Sequence, residues 1–102
     1  MGNHRRGKIQ IVADMLEVGK NGGVKKTYFM YRCNLSYDQL ERYMKIVLGA
    51  NLLKKHDNLD GSDVYGTTEK GREFLGKKRE IDIMLNSEDC PIPPYLPKKN
   101  SF

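Results

Sequence analysis

The chain has 102 residues, 38% of them hydrophobic and 30% charged, with a formal net charge of +5. That is one domain's worth of sequence, enough for a modest single core and too little for a scaffold with a deep catalytic cleft. No apolar run approaches the roughly 18 residues that span a bilayer, and the basic opening MGNHRRGKIQ lacks a signal-peptide core, so a cytoplasmic protein without membrane contact is expected.

The charge is uneven. Residues 1–32 carry seven Lys or Arg against Asp14 and Glu17, a net of +5, whereas residues 33–66 come to −1 and residues 67–102 to +1. Such a localised excess is the footprint of a polyanion binder or, more simply, a solvated basic face.

Residues 1–7 show no periodicity and read as a flexible basic arm, whose Arg5 and Arg6 either enter a minor groove or serve solubility. The folded domain is expected over 8–87. Its first helix spans Lys8 to Gly19, with Ile9, Val12, Ala13 and Leu16 on one face and Ile11 and Met15 as a second stripe. A helix apolar on more than one side touches its own domain all round or a second subunit. Gly22-Gly23 ends the segment, Val24 is placed to pair with later strands, and Thr27 is the expected cap of a short helix that turns Phe29, Met30 and Cys33 inward.

After the tight turn Asn34-Leu35-Ser36, the start of the third helix is written out in full. Ser36 is an N-cap, Gln39 completes a capping box, and Leu35 and Leu40 are spaced as a hydrophobic staple. Leu40, Tyr43, Met44, Val47 and Leu48 then recur at the spacing of one buried face, leaving Tyr37, Asp38, Glu41, Arg42 and Lys45 outside. Asn51 stands where a left-handed residue stops the helix. Leu52 to His56 reads as a strand, Asp60-Gly61 as the turn, and Asp63 to Gly66 as the returning strand.

Thr67 or Thr68 caps a fourth helix carrying Phe74, Leu75, Ile81, Met84 and Leu85 and ending near Asn86-Ser87. Gly71 and Gly76 cost it about 1 kcal/mol each relative to Ala unless something packs closely there. Residues 88–102, EDCPIPPYLPKKNSF, hold all four prolines and form an extended tail, which either buries Ile92, Tyr95, Leu96 and Phe102 or stays disordered. The fold class is therefore α+β, mainly α: a winged helix-turn-helix with a three-helix core, a two-stranded wing and a C-terminal helix.

Lys25-Lys26-Thr27, Met30-Tyr31-Arg32 and Asn34-Leu35-Ser36-Tyr37, together with Thr68-Glu69-Lys70-Gly71-Arg72-Glu73-Phe74-Leu75, resemble the archaeal winged-helix transcription regulators related to the small crenarchaeal chromatin proteins. The match covers about residues 8–85. It implies a double-stranded DNA binder with the third helix in the major groove, and a homodimer joined through terminal helices. Two departures stand out: the heptad-like row Phe74, Lys78, Ile81, Leu85 is short and interrupted by a lysine, and Thr67 replaces an aliphatic residue.

The expected DNA contacts follow. Lys25, Lys26, Thr27, Tyr31 and Arg32 flank the turn and position phosphates; Ser36, Tyr37, Gln39, Arg42 and Lys45 face the groove; Lys54 and Lys55 come from the wing. The wing tip is otherwise acidic, with Asp57, Asp60 and Asp63 in no calcium-loop order. The function read from this is a sequence-specific or chromatin-type DNA-binding regulator at the nucleoid, dimerising through helix 1, helix 4 and the tail. The rival is a winged helix that docks proteins and no DNA. Cys33, Cys90, His4 and His56 have no zinc spacing, and no nucleophile or phosphate-loop motif occurs, so neither cofactor, metal nor catalysis is expected.

Overall fold

The computed structural model describes residues 6–89, so Met1–Arg5 and the tail from Cys90 lie outside the described residues. Its elements run α1 (Lys8–Val18), α2 (Lys26–Arg32), α3 (Tyr37–Gly49), β1 (Leu53–Asp57), β2 (Asp63–Thr67) and α4 (Glu69–Asp89). β1 and β2 are antiparallel, with Leu53 opposite Thr67, Lys55 opposite Tyr65 and Asp57 opposite Asp63. Val24 adds an isolated bridge to Tyr65, the brief pairing its sequence position suggests. Among the described residues no helix is long and apolar enough to cross a membrane.

Both stripes of α1 are inside: Ile11, Val12, Ala13, Met15 and Leu16 are all buried. The helix is surrounded by α2, α3, β2 and α4, which is why two faces had to be apolar. Ile9 is the exception to its expected face, being 61% exposed at the helix start. Phe29 and Cys33 from α2, Leu40, Met44 and Val47 from α3, and Leu53, Tyr65 and Leu75 complete the core. Met30, Tyr43, Leu48 and Phe74 are only partly buried against it. Burial of a side chain such as Phe29 or Leu16 contributes about 2–3 kcal/mol.

Two asparagines set the angles of the chain. Asn34 and Asn51 adopt left-handed backbone, with φ of 55° and 65°. After α2, Leu35 N–H bonds the Met30 carbonyl at 3.0 Å and Asn34 N–H the Tyr31 carbonyl at 3.3 Å. After α3 the same pair recurs, Leu52 to Val47 at 2.8 Å and Asn51 to Leu48 at 3.0 Å. Each is a complete Schellman stop, and Leu35 and Leu52 turn straight back into the core. The second of these was expected from sequence; the first was not.

Of the two threonines expected to cap α4, Thr68 does so, its hydroxyl accepting from Gly71 N–H at 3.0 Å. Thr67 instead donates its hydroxyl to the Leu16 carbonyl at 2.7 Å, tying the wing to α1. Gly71 is required: a Cβ there would lie 2.4 Å from the Leu52 carbonyl oxygen, whereas one at Gly76 would meet nothing. α4 runs past the expected stop at Asn86-Ser87 and through Glu88 and Asp89, which the sequence assigns to the tail. No Pro or Gly interrupts the sequence between Gly76 and Asp89, so nothing stops the helix at Asn86-Ser87.

Candidate nucleic-acid interface

The α2–turn–α3 unit carries most of the expected contacts. α3 begins with the full capping box: Gln39 N–H donates to Ser36 Oγ at 3.1 Å, and Ser36 N–H to Gln39 Oε1 at 3.0 Å. This uses the Ser36 hydroxyl oxygen and the Gln39 carbonyl oxygen for the helix itself. The Ser36 O–H and the Gln39 amide N–H groups are the donors left to meet DNA. Tyr37 and Tyr31 are 64% and 79% exposed, so both rings stand on the surface rather than in the core.

Thr27 does not cap α2. The helix starts two residues earlier than that cap would allow, at Lys26, and the extended N-cap is Lys25, which makes no side-chain cap bond. The cause is the Val24–Tyr65 bridge, which holds the chain extended up to Lys25 and lets the helix begin immediately after it. Thr27 is exposed in the first turn.

The cations differ in how far they are already engaged. Lys26 Nζ lies 2.9 Å from Glu41 Oε2, joining the start of α2 to the middle of α3. The hydrogen bond to Glu41 raises the Lys26 pKa, and the same bond lowers that of Glu41, with lesser help from Tyr37 and Lys45. Arg32 lies over the Tyr28 ring, 5.7 Å from its centroid, and donates to the Tyr28 hydroxyl at 2.9 Å. Arg42 lies 5.5 Å from the Tyr43 centroid. Both arginines are exposed, and each guanidinium is held against a tyrosine ring. Lys45 is exposed on α3, and among the described residues no carboxylate lies within ion-pair distance of it.

The wing separates its two lysines. Successive residues of a strand point to opposite faces, and Lys55 shares a face with its partner Tyr65, which packs edge-on against Phe29. Lys55 is therefore on the helix-facing side, 3.9 Å from Asp63. Lys54 lies on the other face, with His56. At the tip, Ser62 donates from backbone and hydroxyl to Asp60, which lowers the Asp60 pKa.

Arg6, assigned to the loose arm, is tethered: it pairs with Asp14 at 2.6 Å and donates to the Cys33 carbonyl. It staples α1 to the end of α2. No sequence signal marks this, because Arg6 precedes its helix and Asp14 lies eight positions on. The Cys33 thiol beneath it is pushed up to about 11 by burial. Among the described residues no group of three His, Cys, Asp or Glu side chains could hold a metal ion.

A short helix and a second helix joined by a fixed turn, backed by a hairpin and a third long helix, define a winged helix-turn-helix protein. The chain belongs to the winged helix-turn-helix family, whose pattern its residues 5–86 match. An uncharacterised protein of Methanocaldococcus jannaschii is 34% identical over 77 residues; the match takes in 76% of this chain and 34% of that protein, so the chain spans about a third of this relative. Among solved structures, the DNA-binding protein Sso10a-2 from Sulfolobus solfataricus superposes with a TM-score of 0.69 at 22% identity, covering 82% of this chain and 87% of that one. A MarR family transcription regulator superposes at 0.63 with 15% identity, covering 84% and 59%.

Proposed function

We propose that this chain is a double-stranded DNA-binding protein, a transcriptional regulator or chromatin-type protein of the nucleoid, that lays α3 in the major groove. The observation that carries the reading is the exposed outer face of α3, led by the capped turn at Ser36 and flanked by Lys25, Lys26, Tyr31 and Arg32. The likeness to Sso10a-2, described as DNA-binding, supports it. Lys25, Arg32 and Lys55 anchor phosphates, Lys26 is held back from them by its pair with Glu41, and Lys54, on the opposite face of the wing, is left out of this contact; Tyr37, Arg42 and Lys45, with the free end of Gln39, face the bases.

Two copies act together. Ile81, Met84 and Leu85, at i, i+3 and i+4 of α4, are 54%, 68% and 55% exposed, and Ile9 of α1 adds to the uncovered apolar surface. The lysine that interrupts their row, Lys78, is turned aside into a 2.5 Å ion pair with Asp82, so the row can still close against a second copy. The proline-rich tail, the third element of this proposed contact, lies outside the described residues.

Duplex affinity measured against salt tests the reading, since each phosphate neutralised adds about 0.9 to the log–log slope. Changing Lys25 and Lys26 together to Ala lowers that slope without altering sequence preference; an unaltered slope removes both from the interface. Sedimentation at twice the chain mass of 11.7 kDa is expected, and a monomer at tens of micromolar rejects the dimer. The rival reading, a protein-docking module, draws on Asp38 and Glu41 on α3. Salt-insensitive titration with random duplex would favour it.

A further inference from the structure

A second basic surface lies away from α3. On the outer face of the wing, between the loop after α1 and the first turn of α4, runs a groove of about 540 Å³. Lys20, Lys54, His56 and Arg72 line it, with Glu69 as its single carboxylate, and every other lining residue is Asn, Thr or Gly. The three fixed cations against Glu69 leave a net of +2 along the lining, with Lys20 also paired to Glu17 beside it at 3.4 Å. Its floor is backbone: a Cβ on Gly66 would come within 3.1 Å of Gly22 Cα, so the loop after α1 packs directly on β2. Arg72 is fixed at the rim by a bond from its Nη2 to the Lys20 carbonyl, which also holds the loop in position.

The lining decides the ligand class. Small-molecule sites are mostly lined by hydrophobic and aromatic side chains, because desolvation drives their occupation, and no such side chain lines this groove. A polyanion needs no apolar wall, since release of its counterions supplies the driving force. The strand register separates the groove from the first interface: Lys54 and His56 point away from the face that carries Lys55 and Tyr65. We infer that this groove is a second phosphate-backbone site, through which one chain holds a second duplex segment besides the one on α3. This goes beyond the α3 reading and stands or falls separately.

The test is amide chemical-shift mapping of the full chain with a random-sequence duplex, then with inorganic phosphate. With duplex in excess, Asn21, Lys54, Gly66 and Thr68 are expected to shift in a second, weaker binding event after Thr27 through Lys45 have saturated. The double change K20E and K54E should weaken that event at least tenfold and leave the first unchanged, with the amide spectrum confirming the fold. In the K25A and K26A variant the groove signals should still move, so failure of the α3 interface and of the groove are told apart. Groove amides that stay still, or that answer to K20E and K54E no differently from wild type, overturn the inference. Shifts with inorganic phosphate as large as with duplex overturn it too, assigning the groove to a free anion.

Discussion

Glu41 occupies the centre of the proposed interface, and replacing it with Gln is a direct test of how the α2–α3 unit meets DNA. The carboxylate does two unfavourable things there: it repels phosphate, and it holds Lys26 in a 2.9 Å pair. A unit charge about 7 Å from a phosphate in water changes affinity roughly threefold. Freeing Lys26 to neutralise one more phosphate should steepen the salt slope by about 0.9, which makes the gain shrink about 3.5-fold between 50 and 200 mM salt. Together E41Q should bind duplex about tenfold more tightly at roughly 50 mM salt and only about threefold more tightly at 200 mM. Fluorescence anisotropy across a salt series reads both numbers, and E41Q with K26A should return the slope to wild type or below. An E41Q protein with wild-type affinity and slope would refute the placement of this pair at the interface. Acidification does not mimic the change in the ordinary range. Because the hydrogen bond from Lys26 keeps the Glu41 pKa below the usual carboxylate value, the pair survives as pH falls from 7 to 5. Its small contribution to stability is present above the unfolded carboxylate pKa and is lost as pH falls through the lower folded value.

Three further outcomes are expected. Urea unfolding should show Gly71→Ala losing about 2 kcal/mol, because a Cβ has nowhere to go beside the Leu52 carbonyl, while Gly76→Ala gains about 0.5–1 kcal/mol of helix propensity. Equal effects at the two glycines would show that the close approach is not a constraint. Arg6→Ala should lower stability by about 1 kcal/mol through loss of the Asp14 pair and the Cys33 carbonyl bond, yet leave the DNA salt slope alone; a reduced slope would return Arg6 to the DNA. In a Cys90→Ser background, alkylation of Cys33 at pH 8 should be about two orders of magnitude slower in the folded protein than in urea. The thiol at about 11 is almost wholly protonated, and labelling at equal rates would contradict its burial.

What could be read in the sequence was whatever is encoded locally. The Ser36–Gln39 box, the Asn51 stop, the threonine at the start of α4 and the apolar spacing of α3 each sit within a few residues of their consequence. The misreadings are long-range. Thr27 looked like a cap because, although Val24 is placed to pair with a later strand, nothing local shows that its bridge to Tyr65, forty-one residues away, lets the helix begin directly after Lys25. Asn34 was passed over because the turn it ends is too short for periodicity to register, although its left-handed φ of 55° is what lets Leu35 face the core. The alternation of Lys54 and Lys55 was visible, but which of them faces α3 depends on Tyr65 packing against Phe29. Gly71 was conditional on a neighbour, and the neighbour, Leu52, comes from the other end of the wing.

The same long-range contacts explain how charge is apportioned across the surface. On the α3 side two of the acidic groups are placed against particular cations: Glu41 on Lys26 and Asp63 near Lys55. Among the described residues that leaves, on this side, Lys25, Lys45 and the two tyrosine-backed arginines, Arg32 and Arg42, as cations without a carboxylate at contact distance. Phosphates would therefore be met chiefly from the ends of α2 and the outer turns of α3, with the acidic wing tip held off. A duplex seated that way fixes the register of α3 by its flanks. Base discrimination is then left to Tyr37, Arg42 and the amide end of Gln39, so changing any of these should alter sequence preference far more than the salt slope. A change at Arg42 that lowered the slope by about 0.9 and left preference intact would move it from the groove to the backbone.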